Sequence, residues 1–151
     1  MCGESLADFV LNDFLPYQLS VLSARISRDF SDLYGERFGI SVSEWRIVAH
    51  LSQTSGPVSV REIYGRVNMD KSRVSRAAAR LEARGFVSKT KSRADQRLVE
   101  LSLTRAGRDM IRQMTPVALE FERDFLARLG TDNVVFRAAL DTLLADDGHK
   151  S

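Results

Sequence analysis

Cysteine is almost missing from this chain, with Cys2 alone among 151 residues. A single thiol has no intramolecular partner, which rules out a disulfide framework and a cysteine-rich zinc site and fits a reducing compartment. Histidine is as sparse, limited to His50 and His149, and no Cys/His/carboxylate group has ligand spacing. Neither a metal nor any other cofactor is expected. Long apolar runs are absent too, and 44% hydrophobic with 28% charged residues describes a globular chain rather than a disordered or membrane-spanning one. The opening MCGESLADFVLN has no basic residue ahead of its apolar positions, so no secretory signal is read there; the expected location is the cytoplasm, with no membrane partner. There is no glycine-rich phosphate loop, nucleophile motif or carboxylate pair on a familiar scaffold, and an enzyme is not expected.

What is present is charge, unevenly placed. The net charge is only +2, yet residues 61–97 hold eleven Lys or Arg against four Asp or Glu, which leaves the rest of the chain net acidic. That asymmetry suggests a polyanion-facing module on an acidic frame. Within it SKTKSRADQRLVELS, residues 88–102, places Lys89, Lys91, Arg93 and Arg97 around a single Asp95, followed by apolar alternation.

Periodicity supplies the frame. Residues 15, 19, 22, 26, 30 and 33 are all apolar at spacings of three and four, which predicts a long first helix, with Asp13 to cap it, Pro16 tolerable in its first turn and Gly35 or Gly39 to end it. Ser41 with Glu44, and Ser59 with Glu62, each form an S-x-x-E capping box ahead of a shorter helix. A fourth helix is predicted from about Asp70 to Gly85. Arg73, Arg76, Arg80 and Arg84 fall within an arc of roughly 80° on it, while Val74, Ala78 and Leu81 occupy an adjoining face. FVSKTKS and RLVELSL read as two strands joined by a turn at RADQ. Thr104 then caps a long helix, in which Pro116 predicts a kink near residues 112–116, and a last helix spans about Asp132 to Ala145.

Two short helices, a basic helix and a basic hairpin, in that order, make a winged helix-turn-helix. The fold class is therefore mainly α with a small β-hairpin wing, joined to a helical region built from both chain ends. A helix of this kind fits the major groove of double-stranded DNA, where arginine bonds bidentately to guanine. Lys71, Ser72 and Ser75 can donate to phosphates, and the hairpin tip reaches the adjacent minor groove. Arg80 is counted on the same face, and Lys89, Lys91 and Arg93 supply phosphate attraction. The rival reading is a winged-helix module for protein contact that does not bind DNA, since fold alone does not fix function.

DKSRVSRAAARLEARGFV, the basic hairpin with D-Q-R at its tip, and LSLTRAGRDM together resemble the MarR (multiple antibiotic resistance regulator) family of bacterial transcription factors. The resemblance covers about residues 13–145. It implies DNA contacts at Ser72, Arg73, Ser75 and Arg76, a minor-groove finger at Arg97, and a carboxylate at Asp95 that orients it. It also implies a DNA-binding lobe over 41–103, a dimerisation region formed by 13–39 and 104–146, and a homodimer on a pseudo-palindromic operator, acting as a repressor that a small ligand releases. One departure narrows the signal. In the organic-hydroperoxide-sensing branch a reactive cysteine stands early in the first helix, in a segment aligning with LPYQLSVLS, and Ser20 takes its place here. A serine forms no sulfenic acid. A small aromatic carboxylate or related anion is the effector that the resemblance leaves, and Tyr17, Arg25, Trp45, Arg46 and His50 are the candidate residues for its pocket.

Overall fold

The structure, a computed structural model, describes residues 8–146; Cys2 and His149 lie outside the described residues. After a single 3-10 turn at Leu11–Asp13 come helices α1 (Leu15–Phe38) and α2 (Val42–Ser52), strand β1 (Val58–Ser59), helices α3 (Val60–Arg66) and α4 (Lys71–Ala83), strands β2 (Val87–Lys91) and β3 (Val99–Leu103), and helices α5 (Arg105–Ala127) and α6 (Asp132–Ala145). The chain is mainly helical with a small antiparallel sheet, as its periodicity predicts. No helix among the described residues is long and apolar enough to cross a membrane.

Local chemistry sets the boundaries. Ser41 accepts the Glu44 backbone N–H at 3.3 Å, Ser59 that of Glu62 at 3.1 Å and Asp70 that of Arg73 at 2.8 Å, so α2, α3 and α4 each start on the side chain that the sequence nominates. Helix α1 differs: its N-cap is Phe14, with no side-chain bond, and Asp13 ends the preceding turn instead. Of the two glycines offered for its end, Gly39 serves, in the left-handed conformation at φ 65° that a helix C-terminus favours.

The wing is larger than the expected hairpin. A third strand, β1, joins it on the far side of β3, giving the order β1-β3-β2, with Val58 opposite Leu101 and Val87 opposite Leu103. Two residues are too short a strand to show alternation, and they double as the approach to the Ser59 cap. At the base of the wing the L-T-x-x-G segment closes the fold. The Thr104 hydroxyl donates to the Gly85 carbonyl at 2.6 Å and accepts the Gly107 N–H at 3.1 Å. A Cβ on Gly107 would collide with the Phe86 carbonyl, so only glycine allows α5 to approach the start of β2 this closely.

Two compact units divide the chain between Met114 and Thr115. In the first, one core joins Tyr34, Ile47, Val48 and Ile63 to Val74, Leu81, Leu101 and Met114, all essentially sealed from solvent. Helix α4 gives it Val74, Ala77, Ala78 and Leu81, the face adjoining its arginines. In the second unit Phe125 meets Phe136 edge-on at 6.4 Å and Arg137 pairs with Glu122 at 3.0 Å, but α6 contains no buried residue. Helix α5 continues through Pro116 without a break, and the division between the units falls inside the stretch where the kink is expected.

Candidate nucleic-acid interface

Helix α4 and the wing enclose a concave surface lined by Lys71, Ser75, Lys89 and Arg97, together with Arg61 and Tyr64 of α3. Four residues nominated from two separate segments thus share one face. Arg61 and Tyr64 are additions that sequence reasoning passed over. Arg61 opens the basic stretch and sits near the start of α3, a clue available in the charge count but without a motif to single it out.

At the wing tip the chain builds a small clamp. Ser92 is buried and its hydroxyl accepts the Asp95 N–H at 3.3 Å, while Ser92 and Leu98 close the loop through a backbone bond of 2.9 Å. Asp95 then holds Arg97 three times: from Nε at 3.0 Å, from Nη2 at 3.2 Å and from the backbone N–H at 3.1 Å. This fork-to-fork pairing fixes the guanidinium plane, and the Arg97 side chain is still 89% exposed. The Arg97 side-chain bonds first, its backbone N–H second and the charge of Arg61 last hold the Asp95 carboxyl below its ordinary range, against a small effect of burial.

The arginines of α4 are less free than their stripe suggests. Arg73 donates to the Ser43 hydroxyl at 3.1 Å and Arg76 to the Ser72 hydroxyl at 3.0 Å, and both remain exposed beside the solvent face. Arg80 departs from the expected set. Its Nε donates at 2.9 Å to Glu44, a carboxylate 4% exposed that also accepts the Ser41 hydroxyl, so Arg80 neutralises a buried acid of α2. The sequence had only Asp70 and Glu82 nearby on the same helix, and the balancing acid came from another element. Arg84 donates to the carbonyls of Phe38 and Gly39 at 2.6 and 2.8 Å and covers the Phe86 ring at 5.1 Å. It satisfies the C-terminal carbonyls of α1.

The five residues nominated for an effector do not meet. Tyr17 and Arg25 lie on α1 around a shallow hollow with Asn12, Gln18, Val21 and Leu22. Trp45 packs instead into an aromatic cluster, its ring 5.4 Å from that of Phe30 and 5.9 Å from that of Tyr34. Arg46 donates to the carbonyls of Val67 and Asn68 at 3.3 and 3.4 Å, where Asn68 at φ 54° turns the chain from α3 to α4. Its guanidinium closes a helix end rather than waiting for an anion. His50 Nε2 and the Tyr34 hydroxyl are buried without a hydrogen-bond partner among the described residues. Burial pushes the Tyr34 phenol up to about 12, with Arg46 opposing and Glu44 reinforcing the rise. No group of His, Cys, Asp or Glu suited to a metal ion occurs among the described residues.

Residues 38–98 match the family model described as MarR family. The chain is 29% identical over 117 residues to the uncharacterized HTH-type transcriptional regulator YwoH of Bacillus subtilis (strain 168), covering 78% of this chain and 83% of that protein. It resembles the crystal structure of a MarR/EmrR family transcriptional regulator from Acinetobacter sp. ADP1, with a TM-score of 0.78 and 25% identity over 91% of this chain and 96% of that one. Bordetella bronchiseptica BpsR, whose DNA binding is regulated by 6-hydroxynicotinic acid, shares the fold at a TM-score of 0.80 and 19% identity over 93% of this chain and 99% of that one.

Proposed function

We propose that the chain is a MarR-family, DNA-binding winged helix-turn-helix transcription regulator that acts in the cytoplasm as a homodimeric repressor of a pseudo-palindromic operator, released by a small anionic effector. The observation that carries the DNA reading is the wing tip, where Asp95 grips Arg97 on both carboxylate oxygens while that arginine stays open to solvent. A guanidinium so held is preset for the negative potential of a narrow minor groove. The wing then inserts beside the groove that α4 occupies, with Lys71, Ser72, Arg73, Ser75 and Arg76 at the helix's leading end. Lys89, Lys91 and Arg93 neutralise phosphates. Arg61 joins them, whereas Arg80 serves the fold.

The dimer reading rests on what the chain leaves uncovered. Val134, Val135, Leu143 and Leu144 of α6 are each about 70% exposed, and Phe9, Leu15 and Leu19 near the start of the chain are also exposed. Apolar side chains in that number mark a surface that a second copy covers. Residues 13–39 and 104–146 form this dimerisation region in our reading, and residues 41–103 the DNA-binding lobe. A two-fold axis then sets the half-sites about one helical turn apart. BpsR supports ligand response by sharing the fold in a protein whose DNA binding a small aromatic acid regulates.

A gel-shift series on promoter-sized DNA tests the regulator reading. Affinity should fall steeply and log-linearly with salt, one increment per phosphate neutralised, and light scattering should show a dimer at micromolar concentration. Salt-indifferent binding would instead favour a protein-contact module, and a folded monomer would remove the two-fold operator.

A further inference from the structure

The first turn of α2 lies against α4 and receives two of its arginines. Glu44, 4% exposed, accepts from Arg80 Nε at 2.9 Å, and half-buried Ser43, the residue before it, accepts from Arg73 Nη2 at 3.1 Å. Arg73 and Arg80 are seven residues apart, close to two turns, so both leave α4 on the side that α2 approaches. The place of the Ser43 hydroxyl is set twice over. The Glu44–Arg80 pair stands one residue further on, and Ile47 and Val48 of α2 share a core with Val74 and Ala77 of α4.

Arg73 is therefore fixed at both of its ends. Its backbone N–H is the one that Asp70 caps, at 2.8 Å, while its guanidinium rests on a hydroxyl thirty residues away in sequence. It forms no ion pair among the described residues, so its charge is uncancelled. A guanidinium pairs its N–H donors into forks, Nε with Nη2 and Nη1 with Nη2, and a single bond at Nη2 takes only one of that nitrogen's hydrogens. One fork is left whole. Arg76 offers the contrast, because its Nη1 donates at 3.0 Å to Ser72, an exposed residue of the same helix. That bond moves with α4 and refers the guanidinium to no other element. Reading a guanine edge requires both bonds of a fork to land together, and ordering a free arginine for that costs rotamer entropy.

We propose that Ser43, outside both the basic helix and the wing, is a positioning residue for sequence reading: its hydroxyl orients the Arg73 guanidinium before DNA arrives, so that the open fork meets a guanine in each half-site. The assignment rests on the DNA-binding reading above. To that reading it adds which side chain carries base preference and which residue of α2 governs it.

Selection from a pool of randomised duplex DNA by the full-length protein gives base preference position by position, and a salt series on the selected duplex counts phosphates. Wild type should enrich a guanine in each half-site that Arg73→Ala no longer selects. Ser43→Ala should cut that one preference by roughly fivefold and leave the other positions, the salt slope and the unfolding midpoint as they are. Ser43→Thr, which keeps the hydroxyl, should restore it, and in the Arg73→Ala background Ser43→Ala should change nothing. In the DNA-free protein, nitrogen relaxation should find the Arg73 Nε–H more mobile in Ser43→Ala than in wild type, with Arg76 unaltered. Weakening by Ser43→Ala that is equal across sequences, or equal in the two Arg73 backgrounds, would overturn the assignment. So would an Arg73→Ala variant that keeps every base preference and loses about one unit of salt slope, as a phosphate contact does. A wild type that enriches no sequence and binds indifferently to salt would sink the regulator reading together with this one, whereas unchanged base preference in Ser43→Ala would sink this one alone.

Discussion

Along α4 the side chains of the four arginines of the basic stripe all bond to the protein itself, whereas on the wing the side chains of Lys89, Lys91 and Arg93 make no hydrogen bond or ion pair among the described residues. Arg97, the one basic residue of the tip that is held, is held by a neighbour two residues away and remains exposed. The two segments carry similar charge, yet it is divided differently between fold and partner. On α4 the division follows position. Arg73 and Arg76, at the leading end, touch only hydroxyls and keep most of their donors for a ligand. Arg80 and Arg84, toward the trailing end, meet a buried carboxylate and a helix terminus that need them. A basic face is therefore a mixed quantity, and the partner of each guanidinium decides what its removal does.

Arg84→Ala gives the largest expected effect. It exposes the Phe38 and Gly39 carbonyls and removes the cover of Phe86, which should lower stability by about 2 kcal/mol, discounted for the exposure of the site. Denaturant unfolding measures it. The salt slope of DNA binding should stay as it is, and a slope reduced by about one phosphate would move Arg84 to the interface and break the contrast.

Arg80→Ala should cost about 1 kcal/mol, since it leaves the Glu44 carboxylate buried with only the Ser41 hydroxyl to meet it. Adding Glu44→Gln should recover part of that loss, because the orphaned charge goes with it. A double-mutant cycle on stability checks the coupling. Independent, additive effects would mean that the pair is incidental and would return Arg80 to the DNA face.

Asp95→Ala sharpens the comparison from the wing side. It removes a negative charge from a surface that meets phosphates, which on charge alone should tighten binding. Because Asp95 aims Arg97, we expect DNA affinity to fall by roughly threefold to tenfold, with folding unchanged. Equal or tighter binding in a filter or gel-shift assay would show that Arg97 needs no guide.

How legible this was from sequence depends on the range of each signal. The three caps at Ser41, Ser59 and Asp70 and the apolar face of α4 are set within a few residues, and each could be named from spacing, whereas the Asp95–Arg97 pair, just as local, was implied by the family resemblance. Strand β1 was not legible: Val58 and Ser59 become a strand only because β3 lies beside them, some forty residues later in the chain. The same limit hid the partners of Arg80 and Arg84, which are 36 and 45 or 46 residues distant. It also scattered the nominated effector residues. Trp45, Arg46 and His50 share a helix, but which of them meets an aromatic cluster or a backbone carbonyl is set by α1, α3 and the turn at Asn68.

The smallest effect expected is a titration. The Asp95 carboxyl is held below its ordinary range mainly by its bonds to Arg97, with a lesser contribution from Arg61. A folded-state value lower than the unfolded one means that the pair's contribution is present above the unfolded carboxyl value and is lost as pH falls through the folded one. Because the group is open to solvent, the effect on global stability should be slight and weakened further by salt. The consequence to look for is local. In carbon-detected NMR the Asp95 carboxyl should titrate below the ordinary range of an aspartate, should return toward that range in Arg97→Ala, and should move less in Arg61→Ala. The wing's hold on Arg97 would then fail only in acid, below the pH at which ordinary carboxylates have already taken up protons, so DNA affinity near neutral pH should not depend on this group's protonation. An Asp95 titration identical in wild type and Arg97→Ala would mean that the clamp is not populated in solution, and the wing would then differ from α4 only in lacking partners.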